Sequence, residues 1–209
     1  MAERLNNDGK TDYAVKSLLR RKVEKSIVES QNLKQELEIL IKLDSPYIVK
    51  YHGAYIDREY IHMVMESLTG GDLKSMCIDK TRQNTKIDQK QVKKVVYHVL
   101  KGLAHINSYN IAHRDIKLEN VMLDNSTDTY KLIDFGLSKK LVGKSFKEGV
   151  GTPYYVAPEI FDGQYGLQCD IWSLGVLTYR MLAGTFPFEG DDTDEVYDKI
   201  SLGNYEYHP

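Results

Sequence analysis

Residues 113–120 read His-Arg-Asp-Ile-Lys-Leu-Glu-Asn and lie between two short apolar runs of strand character, Ile111-Ala112-His113 and Val121-Met122-Leu123. A carboxylate at Asp115, a cation two residues later at Lys117 and an amide five residues later at Asn120 can converge on one side of a loop. Together they offer a base, a charge stabiliser and a cation ligand, which is what transfer of an anionic group requires. Any two of them would describe a polar surface loop equally well, so their neighbours decide.

Downstream, the strand-like Lys131-Leu132-Ile133 runs into Asp134-Phe135-Gly136. An aspartate at a strand end, followed by glycine, suits a hard cation, although alone it is an ordinary turn. The segment 134–159 then continues through Gly151-Thr152-Pro153 to Ala157-Pro158-Glu159. So long a stretch without regular patterning usually belongs to function in a compact domain. Upstream, Ala14-Val15-Lys16 puts a lysine on a strand predicted over 11–18, after the turn signal Asn7-Asp8-Gly9. Such a lysine, taken singly, marks a solvated strand edge.

Around these motifs the chain divides into a strand-bearing first part and a helix-rich remainder. Leu33, Leu37, Leu40 and Ile41 predict a helix over 30–43. Strands are expected over Tyr47–Tyr51 and Tyr60–Met65, with Gly70-Gly71 closing the segment. Asp88 and Gln91 predict a capping box before a helix whose apolar face is Val92, Val95, Val96, Val99 and Leu103. Residues 168–182 are apolar nearly all round, which predicts a buried central helix, and 193–202 are helix-like.

The 209 residues carry 28 Lys+Arg against 30 Asp+Glu, a formal charge of −2, with 28% charged and 42% hydrophobic residues. This is globular composition, and it argues against dominant disorder or a protein that coats nucleic acid by bulk charge. The longest apolar run, Ile171 to Leu182, is interrupted by Ser173, Thr178 and Arg180 and is too short to span a bilayer. Met1 is followed by Glu3 and Arg4 without an apolar run, so no signal peptide is expected. Cys77 and Cys169 do not make a disulfide framework, which fits a reducing, intracellular setting, cytoplasmic or nuclear. Neither a nucleic acid nor a membrane is expected as partner.

In their order and spacing these motifs resemble the eukaryotic protein kinase family. Asp134 follows Asp115 by 19 positions, and Glu159 follows Asp134 by 25. The resemblance covers essentially the whole chain. It implies an α+β, two-lobed kinase-like fold, with a small sheet-plus-helix lobe over 1–66 and a mainly helical lobe over 67–209. It also implies ATP and Mg2+. Lys16 would contact the α/β-phosphates and Glu36 would pair with it, with Glu38 the competing candidate. Asp115 would orient the substrate hydroxyl and accept its proton, Lys117 would neutralise the moving phosphoryl group, and Asn120 and Asp134 would hold Mg2+.

By the same resemblance Met65 is the gatekeeper, and Glu66-Ser67-Leu68 form the hinge whose backbone meets adenine. Leu40, Tyr51, His113 and Phe135 would stack between the lobes, and Asp170 would anchor the catalytic loop. Lys117 after Asp115 marks the serine/threonine type. Glu119 and Asp72 fall where basophilic members carry acids, which implies a protein substrate with basic residues upstream of its target; two solvated carboxylates are the plainer reading. Ser145, amid Lys139, Lys140, Lys144 and Lys147, is the candidate for phosphorylation, with Arg114 its receiver. Thr152 would help seat the substrate. DFGLS, GTPYYVAPE, CDIWSLGV and GTFPF look most similar to the calcium/calmodulin-regulated and calcium-dependent group.

The chain also departs from the family pattern. Only 15 residues precede Lys16, which leaves no room for the GxGxxG loop over the ATP phosphates, and Gly9 is a lone turn glycine. At the other end the pattern's final helices are not found before Pro209, so the expected fold is cut at both ends. Two readings follow. One is a serine/threonine kinase with every catalytic side chain in place; the other is a non-catalytic kinase-like binding or scaffold protein that lacks the phosphate-covering loop.

Overall fold

The computed structural model describes residues 2–5, 12–83 and 85–205. Strands β1 (Ala2–Leu5), β2 (Tyr13–Leu19), β3 (Tyr51–Ile56) and β4 (Tyr60–Glu66) make an antiparallel sheet of order β1-β2-β4-β3. Two helices, α1 (Arg20–Lys25) and α2 (Ile27–Leu40), connect β2 to the second half of that sheet. β2 lies between β1 and β4, with Lys16 opposite Met63. The first strand was not expected from sequence, and the turn at Asn7-Asp8-Gly9 falls outside the described residues.

The helix expected over 30–43 begins three residues earlier, because the Ser26 hydroxyl caps it by accepting from the Glu29 amide at 3.2 Å. Leu33, Glu36, Ile39 and Leu40 are its buried residues. Ile41, expected on the apolar stripe, is the C-cap and 68% exposed, since the helix has ended and the chain turns away. Of the strand expected over Tyr47–Tyr51 only Tyr51 belongs to this sheet, as the first residue of β3. Ile48 and Val49 are buried because they cross to the helical side: the Val49 amide donates to Leu132 O and the Leu132 amide to Tyr47 O, each at 2.9 Å.

The helical side comprises α3 (Leu73–Arg82), α4 (Gln89–Ser108), α5 (Cys169–Ala183) and α6 (Thr193–Leu202). Between α4 and α5 lie short strands: β5 (Ile111–Ala112), β6 (Val121–Asp124), β7 (Thr129–Leu132) and β8 (Lys139–Lys140). Val92, Val95, Val99, Leu103 and Ile106 form the buried face of α4, which packs on β7 and α5. Burying one such side chain stabilises the fold by roughly 1.5–3 kcal/mol. Gly102 permits the close approach of β7: a Cβ there would sit 2.9 Å from Leu132 Cδ1 and 3.1 Å from Tyr47 O.

Two local expectations are corrected here. Asp88 is the N-cap of α4, but its side chain makes no capping bond. Gln91 does not complete a box; its side-chain amide donates to Tyr130 Oη at 2.9 Å and lies 3.1 Å from Met76 Sδ, so tertiary contacts outcompete the local motif. α5 is buried on one side only, since Ile171 and Leu182 are exposed.

Candidate active site

A cleft of about 420 Å³ opens between the sheet and the helical side. Ala14, Val49, Leu40 and Met65 wall it above, Met122, Ile133 and Phe135 below, and Glu66, Ser67 and Leu68 join the two sides. Its volume and apolar walls are those of a small-ligand site. Three of its four charged residues, Lys16, Glu36 and Asp134, lie at one end, with Glu66 opposite at the join.

At the charged end Lys16 Nζ donates to Glu36 Oε1 at 2.7 Å and to Asp134 Oδ1 at 2.9 Å. Glu36 is only 6% exposed, whereas Glu38 points outward beside Lys34, so the choice between the two glutamates falls to Glu36. Burial works to lower the Lys16 pKa, but the charges of Glu36 and Asp134 outweigh it and raise it. Burial likewise works to raise the Asp134 carboxyl, and Lys16 outweighs it downward. Asp134 has φ +57°, a left-handed conformation costly for a non-glycine residue, which persists where surrounding contacts over-determine it.

On the other side of the cleft the loop after β5 folds back on itself. Asp115 Oδ2 accepts from Lys117 Nζ at 2.7 Å and from Asn120 Nδ2 at 2.9 Å, and Oδ1 accepts from Thr152 Oγ1 at 2.7 Å. Lys117 Nζ also donates to Thr152 Oγ1 at 3.1 Å, and Asn120 Nδ2 to the Asp115 carbonyl at 2.9 Å. Asp170, fully buried at the start of α5, accepts from the His113 amide at 2.7 Å and the Arg114 amide at 2.8 Å. These two bonds hold Arg114 at φ +65°. The His113 ring packs on Phe135, with centroids 4.9 Å apart.

A second brace, which the sequence reading missed, ties the join to the helical side. The buried Lys131 donates to Glu66 Oε2 at 2.7 Å and pairs with Asp124 Oδ2 at 3.2 Å, while Glu66 Oε1 accepts from the Lys50 amide at 2.7 Å. The Glu66 side chain is thereby committed, and its amide donates to Lys50 O at 2.9 Å. Gly70 and Gly71 then exchange backbone bonds with Leu123 at 2.9 Å each.

The protein kinase domain model matches residues 2–206. The chain belongs to the protein kinase family. It is 37% identical over 186 residues to calcium-dependent protein kinase 5 of Plasmodium berghei (strain Anka), covering 88% of this chain and 32% of that protein. It is 34% identical over 199 residues to calcium-dependent protein kinase 25 of Arabidopsis thaliana, covering 93% and 37%. The likeness to the calcium-dependent group read from the motifs is therefore borne out. This kinase chain spans about a third of the length of these relatives.

In the kinase's segment 134–159, Arg114 is already occupied. Its Nε donates to Leu137 O at 2.7 Å, and its Nη1 to Glu148 Oε2 at 3.2 Å and to Tyr165 Oη at 3.1 Å. Its guanidinium also lies over the Phe146 ring, 5.2 Å from the centroid. Glu148 pairs with Lys139 as well. Ser145, the expected phosphorylation site, is half-buried beside the buried Phe146, and no contact joins it to Arg114 among the described residues. The signal for Glu148 was an acid among lysines in that segment. Glu119 and Asp72 are engaged too: Lys74 Nζ donates to Glu119 Oε1 at 2.8 Å, and Asp72 caps α3 by accepting from the Ser75 amide at 2.8 Å.

Proposed function

We propose that this kinase transfers the γ-phosphoryl group of ATP to a serine or threonine hydroxyl of a protein substrate. The observation that carries the reading is the Asp115 carboxylate, held by Lys117 on one oxygen and by Thr152 on the other. A substrate hydroxyl replacing the Thr152 contact would lie within hydrogen-bond reach of a carboxylate and an ammonium at once. Asp115 orients that hydroxyl and takes its proton as the oxygen bonds to the γ-phosphorus. The bond from phosphorus to the bridging oxygen breaks, and its electron pair leaves with ADP. Lys117 offsets charge on the transferring group, and Lys16, aligned by Glu36, holds the phosphates beyond it. Backbone groups of Glu66 and Leu68 are assigned to adenine at the inner end of the cleft.

The residues present fit a magnesium ion. Asn120 spends its Nδ2 on Asp115, so its Oδ1 is the free donor, and with the Asp134 carboxylate it gives two hard oxygens. Among the described residues no group of three or more His, Cys, Asp or Glu is arranged to hold a metal, which suits an ion that takes its other ligands from phosphate and water. When bound, it would neutralise the polyphosphate.

The test is Mg-ATP-dependent labelling of a peptide library containing Ser, Thr and Tyr, followed by phosphoamino-acid analysis, with Asp134→Ala as control. Labelled serine or threonine that disappears in the control is expected. Labelled tyrosine would end the serine/threonine assignment. Nucleotide binding without any transfer would favour the scaffold reading.

A further inference from the structure

Two adjacent residues of α2 hold the two ends of the stretch Asp134–Ser138. Glu36 holds the first end through Lys16, whose Nζ donates to Glu36 Oε1 at 2.7 Å and to Asp134 Oδ1 at 2.9 Å. Gln35 leaves the helix about 100° further round and holds the second end. Its Nε2 donates to Ser138 O at 2.6 Å, a contact that spans 103 positions of the chain. Ser138 is fully buried; its amide donates to Phe135 O at 3.0 Å and its hydroxyl to His113 O at 3.2 Å. Leu137 O, one residue earlier, accepts from Arg114 Nε at 2.7 Å. Gly136, between the two ends, runs against the ion pairs: a Cβ there would lie 3.3 Å from Asp134 Oδ1 and 3.7 Å from Glu36 Oε2. Gln35 therefore closes a path of bonds from Glu36, at the charged end of the cleft, to His113 and Arg114, whose amides Asp170 holds.

We propose that Gln35 is a positioning residue for phosphotransfer: by holding Ser138 it keeps Asp134 and Glu36 in register while the Lys16–Asp134 contact is released. The proposal rests on the phosphotransfer reading and adds to it a residue that touches neither nucleotide nor substrate. In that reading Lys16 turns to phosphate and Asp134 to the cation, so their mutual contact is given up during the reaction. The Gln35–Ser138 bond uses none of these groups and stays. It is also the less screened of the two. The Asp134 side chain is 48% exposed, and water and salt weaken such an ion pair. Gln35 is half-buried, and its acceptor belongs to a fully buried residue. A buried carbonyl that loses its donor is costly, so without Gln35 the backbone at Ser138 shifts to find another. That shift reaches Asp134 at the other end of the stretch, and a misplacement of about 1 Å at the reacting groups can cost ~10²-fold in rate.

Gln35→Met keeps the length of the side chain and removes the donor, whereas Gln35→Arg keeps a donor within reach of Ser138 O. Both are compared with wild type in kcat and KM for a serine peptide, and in hydrogen exchange at the amides of 135–139 without nucleotide. Gln35→Met is expected to lower kcat about tenfold with peptide KM within about twofold, and to speed exchange at Ser138 severalfold. Gln35→Arg is expected to stay within about threefold of wild type in kcat and to exchange as wild type does. Gln35→Ala, which suits a helix, truncates the side chain and should repeat the loss, so the result does not depend on how Met is accommodated. Wild-type kcat in Gln35→Met overturns the proposal. So do equal losses in Gln35→Met and Gln35→Arg, which would make position 35 a matter of packing. If wild type transfers no phosphate at all, the phosphotransfer reading fails on its own, and exchange decides whether Gln35 holds Ser138. Faster exchange at Ser138 in Gln35→Met, restored in Gln35→Arg, supports that hold, and unchanged exchange overturns it.

Discussion

The two halves of the candidate active site are built in different ways. Asp115, Lys117 and Asn120 lie within six residues and bond one another directly, with Thr152 as the one distant member. Lys16, Glu36 and Asp134 come from β2, from α2 and from the chain just beyond β7, and the lysine–aspartate contact spans 118 residues. A local loop keeps its geometry as long as its anchor, Asp170, is in place. The dispersed trio exists only while sheet, helix and helical side hold their mutual positions. Chemistry in the first should therefore fail by loss of a group, and in the second by loss of alignment.

The largest expected effect comes from the local half. Asp115→Asn keeps shape and most hydrogen bonds but removes the carboxylate, and should lower kcat about 10³-fold with little change in melting temperature or nucleotide affinity. Retained kcat would remove Asp115 from the chemistry. Glu36→Gln in the dispersed half should lower kcat/KM about 10²-fold, because Lys16 loses a buried partner while Asp134 still competes for it. Glu38→Gln, on an exposed side chain, should do nothing measurable; equal losses in both variants would undo the assignment of Glu36.

Glu148 lies between these cases. It reaches from the segment after Asp134 to Arg114, whose backbone is fixed by the Asp170 anchor. With its own side chain half exposed, the pair is screened, and Glu148→Ala should cost about fivefold in activity. Because an acid already fills this place, treatment with phosphatase should leave wild-type activity unchanged. A sharp loss on phosphatase treatment would restore Ser145, or another hydroxyl, as the controlling group.

The same contrast explains what could be read from the sequence. In the local half the convergence of Asp115, Lys117 and Asn120 was legible, because residue order within a short loop is nearly its geometry, whereas the bond from Thr152 was not. Lys16, Asp134 and Glu36 were legible only through the family pattern; nothing in the helix 27–40 by itself separates Glu36 from Glu38 until burial does. The elements that failed did so for a common reason. Ile48 and Val49 look like strand residues, and Asp88 with Gln91 like a capping box, yet tertiary partners on β7 claimed the backbone at Tyr47–Val49 and the side chain of Gln91. Glu148, Lys131 and Asp124 were missed because a charge on an irregular segment or a short strand looks solvated until its partner, distant in sequence, is known.

The smallest effect tests the brace between the two halves. Asp124 is buried in β6; burial works to raise its pKa, but bonds from Ser126, Thr127 and Lys131 outweigh this and lower it from 3.8 to about 2. A carboxyl whose folded pKa is depressed adds stability that is present above the unfolded value and is lost as pH falls through the folded one. Asp124 should thus contribute about 2 kcal/mol above pH 4, fading between pH 4 and pH 2. Urea unfolding of wild type and Asp124→Asn across that range should give curves that differ at pH 5 and converge near pH 2. Since Lys131 links Asp124 to Glu66 at the join, the aspartate's loss should also weaken nucleotide binding slightly while leaving the Asp115 loop intact. Parallel curves with a constant offset would mean that Asp124 acts by shape and not by charge.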